Sequence, residues 1–131
     1  MGGRGATSYY YKLNGKAHIY GDEYGSTIHA MGNIKIVSMK TKGAIKAPQE
    51  SQTAKRIYAT IDKETGKLHS LSYMDSKGMR YKQVDAVNHK GMGPHAHDGY
   101  NHEGNARKLS RKEHRRLAMV RSYIRNHGGL A

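Results

Sequence analysis

Residues 89–104 read "HKGMGPHAHDGYNHEG" and hold four of the chain's nine histidines, with little that is apolar. Near neutral pH an imidazole can bind a metal, move a proton or stand solvated in a loop. Spacing sharpens the choice. His95 and His97 are two apart, directly after Pro94, whose fixed backbone angle suits an extended segment. On a strand, residues i and i+2 point the same way, so both rings can reach one centre. His102 lies five beyond His97, across "DGYN", whose Asp-Gly reads as a turn. His89 precedes the pair across the flexible "KGMG". The spacing predicts that His95, His97 and His102 converge, with His89 as the fourth member and Asp85 as its main rival. Asp98 is also in reach, as a ligand or as a carboxylate that orients an imidazole.

Three chemistries fit. One is a solvated polar loop. The second is a tetrahedral site for Zn²⁺ or another ion that favours imidazole. The third is metal-free catalysis on RNA: His95, His97 or His102 as general acid and base, with Arg80, Lys82 or Tyr81 on the phosphate side. The chain has no cysteine, so any metal must be held by His, Asp or Glu. No helical H-E-x-x-H pattern, nucleophile elbow or phosphate-cradling glycine loop is present.

The elements that would position these groups belong to a single small α+β domain, residues 16–131, behind a flexible Gly-, Ser- and Tyr-rich arm at 1–15. "KRIYATID" alternates Ile57, Ala59 and Ile61 against Arg56, Tyr58 and Thr60. "LHSLSYM" and "MRYKQVD" follow across turns with Gly66 and Gly78 at their left-handed positions. The pattern predicts an antiparallel three-stranded meander over 56–86, with one polar face left wet. "GKAHIYG" and "GNIKIVSMKTKG" predict one or two further strands, "APQESQTA" a loop around Pro48, and the His-rich stretch a metal loop. Ser110 with Glu113 forms a capping box for a basic amphipathic helix over 111–126, which Gly128 ends. Leu117, Val120 and Ile124 form its apolar face.

Composition explains why a metal would matter. Ile, Leu and Val number 18 and Phe is absent, about 14% of the chain, under the roughly 20% at which a charged chain is suspected of disorder. Ten Tyr and seven Met offset this in part. A metal, a partner or a dimer contact is expected to complete so small a core, because the binding free energy of a structural metal is folding free energy.

The net charge is +13. Residues 107–125 hold Arg107, Lys108, Arg111, Lys112, Arg115, Arg116, Arg121 and Arg125 against Glu113 alone, a net of +7. These cations predict a partner- or phosphate-binding surface for nucleic acid, a ribonucleoprotein or an acidic protein surface. A membrane is not expected, since no apolar run approaches about 18 residues. With no secretory signal, the expected location is the cytoplasm.

"KRIYATIDKETGKLHSLSYMDSKGMRYKQVD", then "GPHAHDGYNHE", then the basic helix, resembles small domains of phage and mobile-element proteins. Some sit at the C-termini of phage head-morphogenesis proteins or polymorphic toxins and are thought to be nucleases. The likeness covers about residues 55–126. Its most specific part is His95, His97, Gly99, Tyr100 and His102. The "MGGRG" opening also looks like that of small phage reading frames. The resemblance implies a His- or metal-dependent ribonuclease acting in a bacterial host. Such domains usually ride on large carriers. A chain with its own Met that ends soon after the helix reads instead as a standalone factor. In size and charge it is similar to counter-defence proteins of the anti-CRISPR class. The favoured expectation is a zinc-stabilised, non-enzymatic basic protein that binds a nucleic acid or a nucleic-acid enzyme, with the ribonuclease as its alternative.

Overall fold

The computed structural model describes residues 6–8, 23–26, 31–40, 43–86, 93–100 and 106–127. Along them run β1 (Ala6–Thr7), β2 (Tyr24–Ser26), β3 (Ile34–Met39), β4 (Glu50–Ser51), β5 (Ile57–Ile61), β6 (Leu68–Met74), β7 (Arg80–Asp85), β8 (His95–Asp98), β9 (Arg107–Lys108) and α1 (Arg111–Asn126).

The α+β class holds, but the meander is the centre of a larger mixed sheet. Strands β5, β6 and β7 pair antiparallel as the alternation predicts. Around them the order is β2-β3-β5-β6-β7-β8-β9, and β3 joins β5 in parallel. A parallel pair needs a long crossover, here residues 40–56, and nothing local in the sequence announces one. The stretch expected as a metal loop is in part a strand, since β8 pairs with β7 and carries β9 on its far edge. The flexible-arm reading fails for Ala6–Ser8, which are buried, with Ala6 and Thr7 paired to β4. The strand expected at "GKAHIYG" and the helix stop at Gly128 lie outside the described residues.

Helix α1 forms as its signals predict. Ser110 accepts from the Glu113 backbone N–H, and the Glu113 carboxylate accepts from the Ser110 N–H. Leu117, Val120 and Ile124 pack with Ile36, Ala59, Leu71, Val84 and Ala96 on one sheet face, the main apolar core. The turns also follow the sequence. Gly78 has φ +78°, and a Cβ there would lie 2.1 Å from the Ser51 carbonyl oxygen. Only glycine fits where β4 crosses the β6–β7 turn.

The second face differs from expectation. Register places Val37, Thr60, Ser70, Asp85 and His95 in one row across β3, β5, β6, β7 and β8. Tyr58, Ser72, Gln83 and His97 form the next row. This polar face is not wet: Thr60, Ser70, Ser72 and His95 are 0% exposed, Asp85 and His97 2%. At one end it is closed by a small cluster of Ala6, Tyr24, Val37, Tyr58 and Met74.

Candidate metal centre

Asp85 and His95 are direct cross-strand partners on β7 and β8, and Gln83 and His97 are the next same-face pair. Val84 and Ala96 between them point to the helix side. The period of two therefore delivers one carboxylate and two imidazoles to the same patch.

His95 Nε2 lies 3.2 Å and His97 Nε2 3.5 Å from the same oxygen, Asp85 Oδ2. The two rings meet edge-to-face, centroids 5.1 Å apart. His95 Nδ1 is 2.9 Å from the Gly93 carbonyl oxygen. A carbonyl only accepts, so Nδ1 carries the proton. A ring protonated on Nδ1 alone turns the Nε2 lone pair toward the carboxylate, and a cation or a second proton between them would relieve the repulsion. Charge-assisted hydrogen bonds run to about 2.7–2.9 Å, and both separations exceed this. Gln83 Nε2 donates to the other oxygen, Asp85 Oδ1, at 2.6 Å and fixes the carboxylate. A ligand imidazole whose second nitrogen donates to a carbonyl, beside an amide-anchored carboxylate, is the usual support of a metal site. The buried Asp85–His95–His97 group could hold a metal ion.

Of the histidines expected to converge, His95 and His97 do so. His89 and His102 lie outside the described residues. Asp85, the expected rival, is the hub of the group. Asp98 is turned elsewhere: it is exposed and paired with Arg107 at 2.7 Å. Gln83 and Gly93 were not singled out from the sequence. The parity of Gln83 with Asp85 was the available signal; the Gly93 carbonyl leaves none.

Arg80, the expected phosphate-side group, is 4% exposed and braces backbone instead. Its guanidinium donates to the Tyr100 carbonyl at 2.7 Å. Burial pushes it down to about 10, so it stays charged at neutral pH. Gln49 donates to the same carbonyl, and the Tyr100 hydroxyl donates to Glu50. These contacts fix the chain two residues before His102. Lys82 bonds Glu113 at 2.9 Å on the helix side. Register explains the split: Lys82 pairs with Tyr73 and Arg80 with Met74. Tyr81 is therefore an extra, bulged residue that turns Arg80 toward the Asp85 face and Tyr81 with Lys82 toward the helix.

The cations of residues 107–125 also divide. Arg107 donates to both Asp98 and Glu113, and Arg121 donates to the Ala86 carbonyl. The Arg107 guanidinium, helped by the Ser110 N–H and Lys82, holds the Glu113 carboxyl far below the usual range. Lys108, Arg111, Lys112, Arg115 and Arg125 are exposed and Arg116 is half-buried. No described helix is long and apolar enough to cross a membrane. Comparisons with protein-family models, curated proteins and solved structures return no match.

Proposed function

We propose that this protein is a zinc-anchored, non-enzymatic nucleic-acid-binding domain. The observation that carries the reading is the buried group in which two imidazole nitrogens lie 3.2 and 3.5 Å from one carboxylate oxygen. Zn²⁺ with bonds of about 2.0–2.1 Å in tetrahedral geometry has donor–donor edges of about 3.3–3.4 Å. The two separations bracket that edge. Asp85, His95 and His97 supply three donors, and we assign the fourth to His102 or His89. All three donors are at most 2% exposed, which favours a closed structural ion over an open catalytic one. An ion here would also neutralise a carboxylate that is otherwise costly to bury.

The binding half of the proposal rests on charge. The chain carries +13, of which +7 lies in residues 107–125. The exposed cations of α1 would meet phosphates, directly or within a ribonucleoprotein. A counter-defence role of the anti-CRISPR type is one setting for such a protein, supported by the same charge. Titration of fluorescent RNA and DNA oligonucleotides at rising salt tests the reading. Binding should weaken steeply with salt, and the oligonucleotides should stay intact with or without chelator.

A second reading, a ribonuclease, is supported by the pairing of two imidazoles with one carboxylate, a set able to give and take protons. It predicts RNA cleavage that His97→Ala abolishes while the melting temperature holds. The structural reading predicts no cleavage and a lowered melting temperature.

A further inference from the structure

The bulge at Tyr81 has an effect on the helix side. It delivers Tyr81 and Lys82 together to the place where β6 and β7 meet the start of α1. A cleft of about 230 Å³ opens there, lined by Tyr73, Tyr81, Lys82, Lys112, Glu113 and Arg116 among others. Its one carboxylate is already saturated: Glu113 takes two bonds from Arg107, one from Lys82 and one from the Ser110 N–H. Lys112 and Arg116, one helical turn apart, have no acidic partner among the described residues. Lys82 lies 4.2 Å above the Tyr73 ring and occupies that face, and is 6.0 Å from the centroid of the Tyr81 ring. Tyr81, edge-to-face with Tyr73 at 6.2 Å, is 47% exposed. It is one of three large apolar side chains so exposed among the described residues.

We propose that this cleft takes one nucleotide of a single-stranded polynucleotide, its base stacked on Tyr81 and its phosphate held by Arg116 and Lys112. The inference rests on the nucleic-acid reading above and narrows it to unpaired strands. An acidic protein segment would satisfy the cations and leave the aromatic ring without a use. A duplex would satisfy the cations and keep its bases stacked on each other. Only an unpaired nucleotide brings a flat ring and an anion about one sugar apart, the combination that stacking platforms in cationic grooves exploit. The bulge supports the assignment, since bulges re-aim side chains at sites.

The test is anisotropy titration of the full chain with a labelled oligouridylate, its DNA counterpart and a duplex of the same length. The variants are Tyr81→Leu, Tyr81→Phe, Lys112→Gln with Arg116→Gln, and the distant control Arg125→Gln. Tyr81→Leu keeps apolar bulk without a ring face and should weaken single-strand binding about tenfold or more. Tyr81→Phe should bind like the parent. The double variant should lower the salt slope by between one and two, and more than Arg125→Gln does. Unchanged melting shows that the fold is intact. Equal binding of duplex and single strand, an inert Tyr81→Leu, or equal competition by polyglutamate at matched charge overturns the cleft assignment while general binding stands. If the parent binds no oligonucleotide at low salt, the nucleic-acid reading itself falls, and this inference with it.

Discussion

The two faces of the sheet are made of the same strands and are built on opposite principles. On the helix side, Ile36, Ala59, Leu71, Val84 and Ala96 meet Leu117, Val120 and Ile124. Burial there is favourable for each side chain alone. On the other side the same strands bury Thr60, Ser70, Ser72, Gln83, Asp85, His95 and His97. Burial there is unfavourable for each side chain alone and acceptable only if partners are supplied. Thr60 Oγ1 and Ser72 Oγ have none among the described residues. The difference teaches that the apolar face gains from burial alone, while the polar face must have its groups partnered, and an ion is one partner that the buried carboxylate and two imidazoles could take. That is the physical case for an ion at Asp85, His95 and His97.

The largest expected effect breaks the polar face. Asp85→Ala leaves two buried imbalanced imidazoles and should cost about 3–5 kcal/mol in denaturant unfolding, together with loss of bound metal. The matched change on the apolar face is Leu71→Ala, at a residue 0% exposed. It should cost about 2–5 kcal/mol through a cavity and leave metal stoichiometry as it was. Finding that both variants keep, or both lose, their metal would erase the contrast between the faces.

A third effect is read by pH. The Glu113 carboxyl, whose ordinary value is 4.5, is held far lower in the folded chain, chiefly by Arg107. A depressed folded value gives stability that is complete above the ordinary value and lost as pH falls below it. Unfolding free energy should therefore fall with acid below about pH 4.5, and Glu113→Gln should flatten that limb. At neutral pH the variant should lose about 1.5–3 kcal/mol without touching the metal. The smallest expected effect on stability is at Gln83. Gln83→Met takes a donor from the buried Asp85 carboxylate and should cost about 1–3 kcal/mol. Metal affinity, measured by competition with a chromophoric chelator, should drop by about tenfold or more.

What was legible in the sequence follows from the range of the forces. Helix α1 is specified by neighbours three and four apart, and Ser110, Glu113, Leu117, Val120 and Ile124 behave as those spacings predict. The hairpins β5–β6–β7 are local too, and Gly66 and Gly78 adopt the left-handed angles expected of them. The parallel joint of β3 to β5 is not local, so no short pattern could announce it. The polar face misled because alternation shows which residues share a face and not what covers it. Thr60, Ser70 and Ser72 look like solvent-side residues and lie in the interior. The site was half legible: His-x-His after Pro94 marked the pair, while the central place of Asp85 came from a register of β7 against β8. The roles of Arg80 and Tyr81 depend on one bulged residue, which the sequence does not flag.

The central claim is that an ion completes the polar face. Elemental analysis of the natively purified protein tests it most directly, with Asp85→Ala and Leu71→Ala measured alongside. The account predicts about one zinc per chain in the parent and in Leu71→Ala, and close to none in Asp85→Ala. A folded parent that carries no stoichiometric metal, and melts at the same temperature before and after chelation, would contradict it.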